Sequence, residues 1–286
     1  MRITTVINGK GGVGKTTTAQ ALGTGLNKTA VLVRVEEFED DGQIIQKRIY
    51  KRGEDVHQYK TLAVDYDPQG NLSFAFGADV LNSPTMYHVI NGDISIREAV
   101  QHTPQGDIIV GNASLTKIES LFAGDDIFEG LNKLQEQLGQ LEGEYTHIFI
   151  DNQPLIGGML TRQTLIAADD LVVPMVADMF TIQGLARLEK AVESIQKRDN
   201  PNLKIAGILL TKHNPRTIFG TSVGEVINTW AAQRDAKVYG TFIRESVSVK
   251  EAQAKKQSLF DYAPTSNPAF DYLAFIEEYL QAEKEA

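Results

Sequence analysis

Lys10-Gly11-Gly12-Val13-Gly14-Lys15-Thr16-Thr17 sets three glycines between two lysines and ends on a pair of hydroxyls. Read from Gly9, the spacing is G-x-x-x-x-G-K-T. Glycines let successive backbone N–H groups turn inward around phosphates with no Cβ in the way. The lysine that follows reaches the β- and γ-phosphates, and the next hydroxyl can ligate Mg²⁺. Lys15 and Thr16 hold those two positions, so the run from Lys10 to Thr17 is expected to bind a nucleoside triphosphate. Lys10 is surplus to an ordinary phosphate loop.

Two further stretches bring carboxylates to the ends of apolar runs. Thr61-Leu62-Ala63-Val64-Asp65-Tyr66-Asp67-Pro68 reads as a strand ending in acids spaced by one residue, and in a strand such residues point the same way. Carboxylates emerging at a strand's carboxyl end, where open α/β sheets bind ligands, suit a Mg²⁺ shell and an attacking water. His147-Ile148-Phe149-Ile150-Asp151 brings a third acid, Asp151, to an equivalent place. Metal-facing groups are therefore expected at Thr16, Asp67 and Asp151. Asp169 and Asp170 lie at the amino-terminal end of their strand and are expected to be structural.

The elements that must hold these groups alternate along the chain. Apolar runs 3–7, 61–66, 145–151, 170–176, 204–211 and 238–243 read as buried strands. Residues 16–27, 114–121, 126–141, 181–198, 217–234 and 266–283 read as helices by spacing. The expected fold is α/β, a mostly parallel sheet with helices on both faces, in one domain over 1–286. Residues 30–59 break the pattern: Val31, Val33 and Val35 alternate with Leu32, Arg34 and Glu36, and an acidic turn precedes Ile45, Lys47, Ile49 and Lys51. This reads as an inserted β-hairpin, with a short helix in its second half as the alternative.

The 286 residues contain no cysteine, which removes disulfides, thiolate metal sites and iron–sulfur clusters and fits a reducing cytoplasm. Neither a leader pattern nor a long apolar run is present, so a soluble, unexported protein is expected. The net charge is −9 but polarised: residues 187–256 hold thirteen Lys/Arg against seven Asp/Glu. Solvated helix faces and a nucleic-acid surface both account for that excess.

The loop K-G-G-x-G-K-T resembles the deviant Walker A motif of the ParA/MinD class of P-loop ATPases, and Asp65-Tyr66-Asp67-Pro68-Gln69-Gly70-Asn71 matches the D-x-D-P-Q-G-N motif of ParA proteins. Asp151 falls on the Walker B position, although the family's I-D-T-P-P reads Ile150-Asp151-Asn152-Gln153-Pro154 here. Ala206 to Lys212, Phe242 to Val247, Glu251-Ala252 and Tyr262-Ala263-Pro264 match later landmarks, with Arg244 where proline is common. The resemblance covers nearly the whole chain except the hairpin.

It implies a P-loop NTPase fold and a slow, partner-stimulated ATPase using ATP and Mg²⁺. Lys10 would reach the nucleotide of a second copy, Asp67 would orient the hydrolytic water, Asp65 would support the metal shell, and Lys212 and Arg244 would lie near the nucleotide. It further implies an ATP-dependent homodimer that binds double-stranded DNA without sequence preference, released when a ParB-like centromere-binding adaptor stimulates hydrolysis, in a nucleoid-associated cytoplasmic setting. Arg187, Lys212, Arg216, Arg244 and Lys250 are the DNA-contact candidates. The rivals are a positioning ATPase acting on a membrane or a non-DNA cargo, and a metabolic ATPase using the same fold to transfer phosphate or electrons, whose iron–sulfur versions the missing cysteines exclude. Against a membrane, residues 266–286 hold Asp271, Glu277, Glu278, Glu283 and Glu285 against Lys284 alone. Because the chain starts at its first strand, a winged-helix extension and operator binding are not expected.

Overall fold

The computed structural model describes residues 1–28, 30–40, 43–52, 58–124, 127–178, 181–212, 218–234 and 236–285, with backbone alone for 30–52, 181–182 and 218–223. The first half runs β1 (Arg2–Val6), α1 (Lys15–Gly25), β2 (Ala30–Asp40), β3 (Gln43–Arg52), β4 (Thr61–Tyr66), α2 (Asn71–Phe76), α3 (Met86–Asn91), β5 (Val100–Thr103), β6 (Gly106–Ile109), α4 (Ile118–Leu121) and α5 (Ile127–Gly139). The second runs β7 (His147–Asn152), α6 (Met159–Ala167), β8 (Asp170–Met175), α7 (Thr181–Arg198), β9 (Lys204–Leu210), α8 (Ile218–Ala232), α9 (Val247–Ala254), α10 (Leu259–Tyr262) and α11 (Asn267–Glu285).

Seven strands form one sheet in the order β5-β6-β4-β7-β1-β8-β9, parallel throughout except for the antiparallel β5–β6 pair at one edge. The near-continuous apolar runs are the inner strands because both of their faces are covered. Alternation sends successive side chains to opposite cores. Ile3, Leu62, Val64, Ile148, Ile150, Leu171 and Val173 join one core with α3, α5, α6 and α7. Val6, Ala63, Phe149, Val172 and Leu209 join the other, against Leu22 of α1 and Phe275 and Ile276 of α11.

Helix α11 is tied to the start of the chain by two buried phenols. Tyr279 hydrogen-bonds the Thr4 hydroxyl of β1 at 2.8 Å, and Tyr272 bonds the Thr18 hydroxyl of α1 at 3.2 Å. No helix among the described residues is long and apolar enough to cross a membrane.

Three local expectations are corrected. Residues 238–243 are not a strand: they meet β9 and the residue after it through two isolated bridges, Val238 with Ile208 and Ile243 with Thr211, and through single backbone bonds from Tyr239 to Ile208 and from Ile243 to Leu210. Between them the N–H groups of Gly240 and Thr241 donate to Glu278 of α11, so the backbone is satisfied by a carboxylate instead of a ladder. Residues 114–121 are a 3₁₀ turn, Ala113–Lys117, running into α4. Strands β5 and β6 were not expected, being only four residues each. Within the 30–59 insertion, β2 pairs antiparallel with β3 in a sheet of its own, which excludes the helical alternative over 43–52.

Candidate nucleotide and metal site

The phosphate loop leaves β1 at the carboxyl end of the sheet and enters α1 through Gly14, a left-handed helix cap (φ 91°) that offers no side chain to the helix's N–H groups. Those groups are left for an anion. Gly12 is also left-handed (φ 75°), and a Cβ on Gly11 or Gly12 would meet nothing within 4 Å, although both glycines line a cleft of about 560 Å³. A side chain there would fill the space a phosphate would use.

Lys15 lines the same cleft, buried, with its ammonium donating to the Lys10 carbonyl at 3.0 Å. Burial pulls its pKa down, while the Asp151 and Asp67 charges oppose that. Lys10 is absent from the cleft lining: its side chain is turned outward, half exposed, and paired with Asp178.

Thr16 donates its hydroxyl to Asp151 Oδ2 at 2.7 Å. The other oxygen, Oδ1, is buried and accepts no hydrogen bond. Burial first, and then the Asp65 charge, raise the Asp151 pKa well above the usual carboxylate range, against the Thr16 bond. A buried carboxyl group with an unbonded oxygen beside a hydroxyl and further carboxylates gains its charge most readily with a divalent cation present, so the donor set fits Mg²⁺.

The paired acids part company. Asp67 lines the cleft and accepts the Gln69 N–H at 2.9 Å. Asp65 is fully buried behind it: Oδ2 accepts from Ser73 N at 2.7 Å and Ser73 Oγ at 2.6 Å, and Oδ1 accepts from Asp67 N at 3.2 Å. Asp65 thereby caps α2, whose own cap, Gly70, has no side chain. Burial lifts its pKa to about 6 against those hydrogen bonds. Strand alternation does not carry the two acids to one place because β4 ends at Tyr66, before Asp67.

The far wall comes from the C-terminal third. Thr211 donates to the Val13 carbonyl at 2.7 Å, and Gln253 of α9 reaches Thr17 Oγ1 at 3.1 Å, strapping that third to the phosphate loop. Phe74, Val249 and Tyr272 give the cleft apolar surface, and Lys212, Arg244 and Lys250 line it as well. Lys212 is left-handed (φ 50°), unusual for a residue with a Cβ. Arg244 is gripped by Asp271 of α11, Nη2 to Oδ1 at 2.6 Å and Nε to Oδ2 at 3.0 Å. Arg187 is exposed on α7 and outside the cleft, while Arg216 lies outside the described residues.

Ser73, Asp178, Thr211 and Gln253 were not foreseen as members of this constellation. A helix opening at glycine marks Ser73 as near an uncapped terminus, but only the fold reveals the other three.

A family model described as an AAA domain matches residues 55–205. The chromosome partitioning protein ParA of Caulobacter vibrioides is 30% identical over 292 aligned positions, covering 100% of this chain and 96% of that protein. The sporulation initiation inhibitor protein Soj of Bacillus subtilis is 30% identical over 280 positions, 97% of each chain. Among solved structures, a cobyrinic acid a,c-diamide synthase from Mycobacterium smegmatis with bound ADP and magnesium superposes with a TM-score of 0.75 at 25% identity, over 99% of this chain and 96% of that one.

Proposed function

This chain belongs to the ParA-type P-loop ATPases, and from that premise we propose that it is a DNA-segregation ATPase whose Mg²⁺-ATP form is a dimer holding duplex DNA without sequence preference. The observation that carries the reading is the division between two lysines of one loop. Lys15 serves the cleft of its own chain, while Lys10 faces outward, where the nucleotide of a second copy would meet it.

In the proposed reaction the γ-phosphoryl group passes to water, a transfer that needs positioning and charge neutralisation more than covalent help. Thr16 and Asp151 would hold Mg²⁺, which supplies charge neutralisation on the phosphates when bound; that the mycobacterial synthase binds ADP with magnesium supports Mg²⁺ as the metal. Asp67 orients the attacking water. Asp65, with both oxygens taken by protein donors, positions Asp67 and α2. Thr17 and the glycine N–H groups complete the phosphate cradle, with Lys212 and Arg244 on the opposite wall.

DNA is the cargo favoured by the basic excess of residues 187–256, and Arg187, Lys212, Arg216, Arg244 and Lys250 are the proposed contacts, Arg244 only on release from Asp271. A ParB-like adaptor would stimulate hydrolysis and release, in the nucleoid-bearing cytoplasm. A membrane role is disfavoured because the apolar face of α11, through Tyr272, Phe275, Ile276 and Tyr279, is spent in the core, while its exposed face is acidic.

The test is nucleotide-dependent retention on arbitrary duplex DNA, measured by filter binding alongside sedimentation. ATP with Mg²⁺ should give dimers and retention, and ADP neither. Retention indifferent to nucleotide overturns the proposal.

A further inference from the structure

Lys10 is held twice within its own chain. Its backbone N–H donates to Asn8 Oδ1 at 2.9 Å, and the buried Asn8 amide donates in turn to the Pro174 carbonyl of β8 at 2.8 Å. Its ammonium pairs with Asp178, three residues beyond the end of β8 at Met175. The brace through Asn8 ties the phosphate loop to the end of β8, which places Lys10 beside the stretch that carries Asp178.

This pair stands apart from the nucleotide cleft. Neither Lys10 nor Asp178 lines it, whereas Lys15 of the same loop does. The pair is also only partly shielded, with nearly half of the Lys10 side chain and a quarter of the Asp178 side chain exposed. An ion pair so placed is weak enough to exchange. It must nevertheless open before the ammonium can reach another anion, and opening it takes the counter-ion from a carboxylate that is mostly shielded from water.

We propose that Asp178 is a positioning residue for Lys10: it keeps the ammonium on its own chain until the triphosphate of a second copy offers a stronger anion, and so sets the concentration at which two copies join. This rests on the dimer reading above. Opening the pair costs the same whatever nucleotide is bound, so dimers form only where the contact across the interface is strongest. A triphosphate carries more charge than a diphosphate and meets that condition first. In a two-fold symmetric dimer both Lys10–Asp178 pairs must open, and their effect counts twice.

Sedimentation of the full chain with Mg²⁺ and a non-hydrolysable ATP analogue reads the monomer–dimer constant. Asp178→Asn should dimerise about two- to thirtyfold more tightly, the range for two part-exposed pairs. Asp178→Glu, which restores a carboxylate, should return toward the parent. Fluorescent-nucleotide affinity, measured at protein concentrations too low for dimers, should be the same in Asp178→Asn as in the parent. Lys10→Ala combined with Asp178→Asn should remain as monomeric as Lys10→Ala alone, because without the lysine there is nothing for Asp178 to hold. An Asp178→Asn protein that dimerises no better than the parent, dimers in the double variant, or a changed nucleotide affinity of the monomer overturns the proposal. The parent's own behaviour tests the underlying reading separately: if the parent stays monomeric with the analogue, both fall.

Discussion

Thr16 and Asp151 are joined hydroxyl to carboxylate at 2.7 Å, and the second Asp151 oxygen is buried with no donor of its own. The pair is thus half-satisfied without a cation. Thr16→Ala should weaken Mg²⁺-dependent nucleotide binding about ten- to hundredfold, with a far smaller effect in excess EDTA. Fluorescent-nucleotide titrations with and without metal make the comparison, and equal losses in both would reject the metal assignment.

Protons compete with the metal at the same carboxylate. Burial and Asp65 hold the Asp151 proton to higher pH than usual, and Mg²⁺ requires the carboxylate form. Metal affinity should therefore rise with pH, by up to about tenfold per unit for one displaced proton. Calorimetry in two buffers of different ionisation enthalpy reads the proton released; a pH-independent affinity contradicts the expectation.

Lys15, Lys10 and Asp67 should fail in different ways when truncated. Lys15→Ala is expected to lose nucleotide binding. Lys10→Ala should bind ATP but not dimerise on it, and Asp67→Ala should dimerise yet hydrolyse about a hundredfold more slowly. Nucleotide binding, light scattering and phosphate release separate these outcomes, and a uniform loss of binding in all three would dissolve the division of labour.

Ser73 touches no cleft surface, but it supplies two of the three donors to Asp65. Ser73→Ala removes the hydroxyl donor to a buried carboxylate and should cost about 1–3 kcal/mol. Urea unfolding at unchanged slope measures this, and a loss below about 0.5 kcal/mol would mean that the hydroxyl is not needed there.

DNA retention should fall steeply with salt, and Lys250→Ala or Arg187→Ala should each reduce the slope of log K against log salt by about one per phosphate contact removed. A slope untouched by both variants places the DNA elsewhere.

Much of this architecture was legible because it is written locally. Glycine spacing identifies the loop from Lys10 to Thr17, and apolar runs ending in acids identify β4 and β7 together with the directions of their carboxyl ends. What escaped reading depends on tertiary partners. The separation of Asp65 from Asp67 turns on where β4 stops and on a serine eight positions downstream. Residues 238–243 have the composition of a strand, yet two of their N–H groups find Glu278, a residue of α11. Strands β5 and β6 hold four residues each, too few for alternation to register. Arg244 is read from sequence as a nucleotide-side and DNA-contact candidate, and its bond to Asp271, 27 positions away on α11, is not visible there.

The bonds from Tyr279 to Thr4 and from Tyr272 to Thr18 bear on the order in which the protein can be made. The strand and helix that flank the phosphate loop leave the ribosome long before the helix that covers them, their bonded partners lying 275 and 254 positions apart in sequence, so their shared core closes late. A nascent chain has its entire phosphate-loop sequence long before the loop has a rigid base. Nucleotide binding should accordingly appear only after α11 has emerged, which keeps half-made chains from engaging ATP.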